Sequence, residues 1–71
     1  MSLNELDVYK CGKIVSISSE NDIKRRLMDI GFNKGVIIKP ILDGSSMRAY
    51  VVKGSIIAVR KEDASKIEVD A

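Results

Sequence analysis

Two hydrophobic periods alternate along the chain. From Ser19 to Ile30 the apolar residues Ile23, Leu27 and Ile30 recur at i, i+4 and i+7, one face of a helix. On either side the pattern tightens into short runs rich in β-branched residues. These are KIVSIS (13–18) before it, then VIIKPIL (36–42), MRAYVV (47–52), SIIAVR (55–60) and KIEV (66–69) after it. Such runs, bounded by Gly, Ser, Asp and Asn, predict five strands. The loop DGSS and the tight turn Lys53–Gly54 join strands two to four as a meander. Pro40 has no N–H to give a ladder, so it puts an edge or a bend in its strand. Leu3 and Leu6 at helical spacing predict a short turn docked on the core, and KEDA (61–64) predicts one helical turn before the last strand.

The ends of the helix carry their own signals. Ser19 or Asn21 can cap its start, where Glu20 and Asp22 suit the dipole, and Asp22 and Arg26 are spaced as an acid-before-base pair. Gly31 can take the left-handed conformation that ends a helix, which lets Phe32 fold back onto Leu27. Gly35 would take the positive-φ position of a turn Phe32–Asn33–Lys34–Gly35 that launches the next strand. The set predicts an all-β, single domain over residues 1–71: a small SH3-like barrel of about five strands with one short α-helix after the first strand.

Charge and chemistry narrow the function. Twelve bases against ten acids give +2, too mild to imply nucleic acid. KRR (24–26) is the densest basic run, but three successive helical residues fan over roughly 200° and cannot make one compact face. No aromatic partner for base stacking lies beside it. Neither G-x-x-x-x-G-K-S/T nor G-x-G-x-x-G occurs, so RRLMDIGFNKG (25–35) is a helix-stop-strand connector and not a phosphate loop. There is no histidine, and Cys11 is the only cysteine, which rules out an internal disulfide and fits a reducing compartment. Carboxylates are scattered through turns, so neither a metal site nor a cofactor is expected, and Cys11 with Met47 would make a poor ferrous site. Cys11 reads as a half-buried strand-edge residue, Tyr9 and Tyr50 as core or rim packing, and Arg60 as the ion-pair partner of the acidic turn after it. A barrel this small is filled by its own side chains, which argues against an enzyme. No apolar run approaches the ~20 residues of a membrane span, and the N-terminus lacks a signal-peptide pattern, so a cytoplasmic location is expected.

Several of these residues stand in a familiar order. Arg25-x-Leu27-x-x-x-Gly31, then Gly35, then Val59, Arg60, Ala64, Ile67 and Val69, preceded by Leu3-x-x-Leu6 and GKIVSI, resemble the ferrous iron transport protein A (FeoA) family. Lys34 stands where that family usually has proline, and its loop before the third strand is shortened here to LDGSSM (42–47). The resemblance implies a non-catalytic accessory protein of ferrous iron uptake. Its implied partner is a FeoB-like membrane transporter with a cytoplasmic GTPase domain, which it would bind and modulate. One alternative is a small nucleic-acid-binding barrel using KRR, Lys10, Lys13 and Lys34; another is the ligand-sensing module of an iron regulator. Strand alternation, phased by the resemblance, puts Ile38, Leu42, Tyr50, Val52, Ile57 and Val59 inside. It turns Ile37, Ile41, Val51 and Ile56 outward. Either the N-terminal segment and the helix cover these four, or they dock a transporter segment or a second copy in a weak homo-oligomer.

Overall fold

The computed structural model describes residues 1–71. A 3₁₀ turn, Leu3–Glu5, leads to β1 (Gly12–Ile17), α1 (Asn21–Asp29), β2 (Ile37–Asp43), β3 (Met47–Val52), β4 (Ser55–Arg60), the single turn α2 (Lys61–Ala64) and β5 (Ile67–Asp70). The pattern locates β3, β4 and α2 on these residues and the other elements to within a residue or two. All five strands join one antiparallel sheet in the order β4-β3-β2-β1-β5. Its inner face gathers Ile14 and Ile17 from β1, Ile38 from β2, Tyr50 and Val52 from β3, Val59 from β4, and Ile67 and Val69 from β5. Leu27 of α1, Phe32, Ala64, Leu3 and Leu6 complete this core. The Phe32 and Tyr50 rings meet edge-on at 6.1 Å, a geometry that adds about 0.5–1.5 kcal/mol to their burial.

Two turns show how residue choice sets the path. The Phe32 N–H donates to Leu27 O (3.0 Å) and the Gly31 N–H to Met28 O (3.1 Å), which closes α1 in a Schellman motif with Gly31 at φ 113°. The following turn comes one residue later than the spacing predicts. Asn33 O accepts from the Val36 N–H (3.1 Å), because the Gly35 N–H that the earlier turn would need goes to Ile14 O (2.8 Å). Gly35, at φ 89°, then holds the third position, where positive φ is needed. At the other end of α1, Glu20 occupies the cap position and no side chain bonds to the helix start. Neither Ser19 nor Asn21 caps it, and the Ser19 hydroxyl is buried without a partner. Asp22 and Arg26 form no ion pair, since both point into solvent where the attraction is weak.

Pro40 produces the largest departure from simple alternation. Pro40 pairs with Tyr50 but Leu42 pairs with Ala49, so β2 carries one extra residue between them. The proline cannot complete the ladder, and the strand bulges there. Past the bulge the faces exchange: Pro40 is buried, whereas Leu42, expected inside, stands 62% exposed. Ile57, also expected inside, is half-buried and packs against the core from its margin.

Candidate docking surface

The outer face of β2–β3–β4 is built by cross-strand rows. Lys39 lies beside Val51 and Val51 beside Ile56; Leu42 lies beside Ala49 and Ala49 beside Ala58; Met47 lies beside Arg60. Ile37 precedes Lys39 by one repeat on the same face and pairs with Lys13 of β1. The expected outward set therefore divides. Ile37 is 52% and Ile56 70% exposed, whereas Val51 and Ile41, the latter inside the bulge, are half-buried. Leu3 and Leu6 do not cover them, because both are consumed by the core. Ala49 and Met47, which follow Val51 by alternation on β3, and Ala58, which follows Ile56 on β4, extend the same face; Leu42 joins them only through the bulge, which Pro40 signals.

Charge on this face is mostly positive; Asp70, beside Lys13 and Ile37, is the acid at its margin. Lys13, Lys39, Lys53 and Arg60 surround the aliphatic side chains, and β3 and β4 contain no acid. Asp43, at the end of β2, is already engaged. Its Oδ1 lies 3.0 Å from Lys61 Nζ and 3.1 Å from Arg48 Nε. The hydrogen bond from Lys61 holds its carboxyl below the usual range, with help from the Lys61 and Arg48 charges.

Arg48 is the residue whose role the pattern of the chain does not announce. It sits on β3 at an inward position and is 3% exposed. Its Nη1 donates to Leu3 O (2.9 Å) and Asn4 O (3.1 Å), and its Nη2 to Leu6 O (2.8 Å). These are carbonyls at the end of the N-terminal 3₁₀ turn; Leu3 O also accepts from the Leu6 N–H (3.3 Å), whereas those of Asn4 and Leu6 have no backbone donor. The guanidinium also lies 5.7 Å from the Tyr50 ring centre. Its Nε is close to Asp43 but off the line of a hydrogen bond, so that contact is one of charge. Burial raises the Tyr50 hydroxyl's pKa, against the opposing pull of Arg48.

Two shallow grooves flank α1. One, of about 290 Å³, has Ile14, Ile17, Phe32 and Met28 along it with Lys24 and Lys34 at its mouth. The other, about 240 Å³, runs between α1 and β4, with Leu27, Ile30, Met47, Ala58 and Val59 below Arg26 and Arg60. Both fall under the ~300–1,000 Å³ of small-molecule sites. Arg60 pairs with Asp63 at 3.6 Å, the ion pair expected of it. Lys24, Arg25 and Arg26 are exposed and unpaired. Cys11, read as half-buried, is exposed, because it lies in the connection just ahead of β1. Tyr50 is core, but Tyr9 is exposed, since its φ of 71° turns it out of the chain's inward side. No three residues among His, Cys, Asp and Glu gather as a metal site would require. No helix is long and apolar enough to cross a membrane.

A small antiparallel sheet of five strands curled on one core, with a short helix after the first, is a domain of the SH3 type. The family model described as the FeoA domain matches residues 1–71, and the chain belongs to that family. Solved structures agree. The FeoA protein of Chlorobium tepidum is 27% identical over 97% of this chain and 68% of its own, with a TM-score of 0.90. The Stenotrophomonas maltophilia FeoA, solved with zinc, is 29% identical over 99% of this chain and 89% of its own, with a TM-score of 0.86. That protein is described as a procaryotic SH3 domain protein and a candidate activating factor of bacterial ferrous iron transport. A manganese-dependent transcriptional repressor shares the fold alone, at 15% identity over 97% of this chain and 40% of its own, with a TM-score of 0.89. No curated protein matches the chain.

Proposed function

We propose that this protein is a non-catalytic accessory factor of ferrous iron uptake that docks on the cytoplasmic part of a FeoB-like transporter and modulates it by contact. The family carries the iron-transport half of this reading. The docking half is supported by one observation: Ile37 and Ile56 stand exposed on a face that Leu42, Val51 and Ile41 continue. An ordinary solvated sheet face alternates polar residues there, and this one does not. The basic rim favours a partner surface that carries acids. It disfavours a second copy, because apposed identical faces would set Lys39, Lys53 and Arg60 against one another.

The test is binding of the isolated protein to the transporter's cytoplasmic domain, measured by calorimetry. Ile37→Lys and Ile56→Lys should each weaken it about tenfold or more, as loss of an interface anchor does. Variants that bind as the parent does would take this face out of the proposal.

A further inference from the structure

The sheet has two terminal strands, and only one of them is closed. On β5, Val69 donates its N–H to Met1 O (2.8 Å) and Glu68 bridges to Ser2, so the chain's own start covers that edge. On the other side β4 bonds to β3 alone. The geometry of the hairpin says which groups are left over. Lys53 and Gly54 both have positive φ (51° and 81°), the type I′ turn, which closes on a pair exchanging both hydrogen bonds, here Val52 and Ser55. The register then runs without a bulge from Val52–Ser55 to Met47–Arg60. Alternation therefore points the N–H and C=O of Ser55, Ile57 and Val59 at β3, and those of Ile56, Ala58 and Arg60 away from it. Arg60 caps α2, so its C=O serves that turn, while its N–H and the groups of Ile56 and Ala58 have no partner among the turn, loop and side-chain hydrogen bonds.

Natural sheets blunt such an edge with proline, a bulge or an inward charge. The β4 sequence, SIIAVR, has none of these, and its only charge is Arg60 at the end. The edge also faces a prepared channel. The groove between α1 and β4 has apolar walls from Leu27, Ile30 and Met47, and it is large enough for a side chain but not a small-molecule ligand. Arg26 at its mouth has no ion-pair partner, and Arg60 meets Asp63 only through Nε.

We infer that β4 accepts an extended segment of another protein as a sixth strand, by backbone pairing with Ile56, Ala58 and Arg60. The segment carries an apolar residue for the groove and a neighbouring carboxylate for Arg26 and Arg60. A second copy fits poorly: antiparallel β4 strands paired through these groups set Arg60 of each beside Ile56 of the other and bring no acid to Arg26 or Arg60. This site lies beyond the face-to-face docking proposed above, and it can be tested without any transporter.

The probe is a blocked hexapeptide of alternating valine and glutamate, titrated into the ¹⁵N-labelled protein. At saturation, amide exchange at Ile56, Ala58 and Arg60 should slow by about tenfold or more, with Ser55, Ile57 and Val59 unchanged. A peptide of alternating valine and lysine should bind more weakly. Ala58→Pro removes an outward donor without touching the β3 ladder, so it should melt with the parent and lose the peptide. Should that variant unfold, the pair Arg26→Glu with Arg60→Glu leaves the backbone intact and should reverse the preference toward the lysine peptide. Three results would overturn the inference: no slowing at the three alternate amides, slowing confined to the Lys24–Lys34 groove, or slow exchange without peptide in a protein that sediments as a dimer.

Discussion

The two ends of the sheet are finished in opposite ways. At the β5 end, the 3₁₀ turn buries Leu3 and Leu6 and is fastened through its carbonyls to Arg48, while Asn4 donates to Lys61 O at 2.6 Å. At the β4 end the backbone is open and Ile56 is exposed. Two arginines on adjacent strands express the same contrast. Arg48 points inward and spends its donors on structure, whereas Arg60 points outward and keeps most of its donors free. A domain of 71 residues has little core to spare. It concentrates its polar fastening where the chain's start is held, and leaves bare the side on which docking is proposed.

The strongest way to break this comparison is to cut the fastening. Arg48→Ala leaves the Asn4 and Leu6 carbonyls without a donor, deprives Leu3 O of one of its two, and takes one of two positive charges from Asp43; removing one member of a buried charged network costs about 3–5 kcal/mol. Urea denaturation should show a loss in that range, with faster amide exchange in residues 3–6 than in β3 or β4. Arg48→Lys should recover only part, because one ammonium cannot span carbonyls that a planar fork reaches together. A variant as stable as the parent would show that the N-terminal turn is held by Leu3 and Leu6 alone.

That arginine also marks what the sequence could not tell. The strands, the helix and the turn at Gly31 were legible because each depends on spacing or on one residue's backbone freedom, properties carried by neighbours in the chain. Arg48 sits at an inward position of an apolar run, and the partners that make its burial tolerable lie more than 40 residues away. The bulge at Pro40 falls between these cases. Proline announced a disturbance, but not that Leu42 would change faces with it, since that depends on how β3 pairs. The outward set Ile37, Ile41, Val51 and Ile56 was drawn from alternation, and the bulge alone makes Leu42 part of that surface and sinks Ile41 halfway.

A second substitution acts on the connector both ends share. Gly31→Val forces a β-branched residue to φ 113°, and its Cβ would come within 3.3 Å of Val52 Cγ1. The loss should exceed about 1 kcal/mol in chemical denaturation. Arg26→Ala, five residues earlier on the solvated face, should cost less than about 1 kcal/mol. The reverse order would mean that the helix stop is not what fixes Phe32 in the core.

Acid should loosen the fastened end first. Asp43 titrates below its ordinary 3.8 in the folded protein because Lys61 and then Arg48 stabilise its charge. Its contribution is therefore present above the unfolded pKa and disappears as pH falls through the lower folded value. Melting temperature should drop below about pH 4, and Asp43→Asn should flatten that part of the profile while lowering stability at neutral pH. An unchanged profile in the variant would assign acid sensitivity to other carboxylates.

The smallest expected effect is on the open side, and its smallness is what makes it informative. Ile37 and Ile56 have half or more of their surface in water already, so a lysine at either place buries no new charge. Ile37→Lys and Ile56→Lys should shift stability by no more than about 0.5 kcal/mol, the range of ordinary surface substitutions. Had the helix or the N-terminal turn covered these positions, each lysine would have entered an apolar contact unpaired and cost several times as much. Near-parental melting together with weakened binding to the transporter domain places their energetic role outside the folded monomer. A large loss of stability in either variant would instead close this side of the molecule, and the contrast between its two ends would reduce to the free backbone of β4.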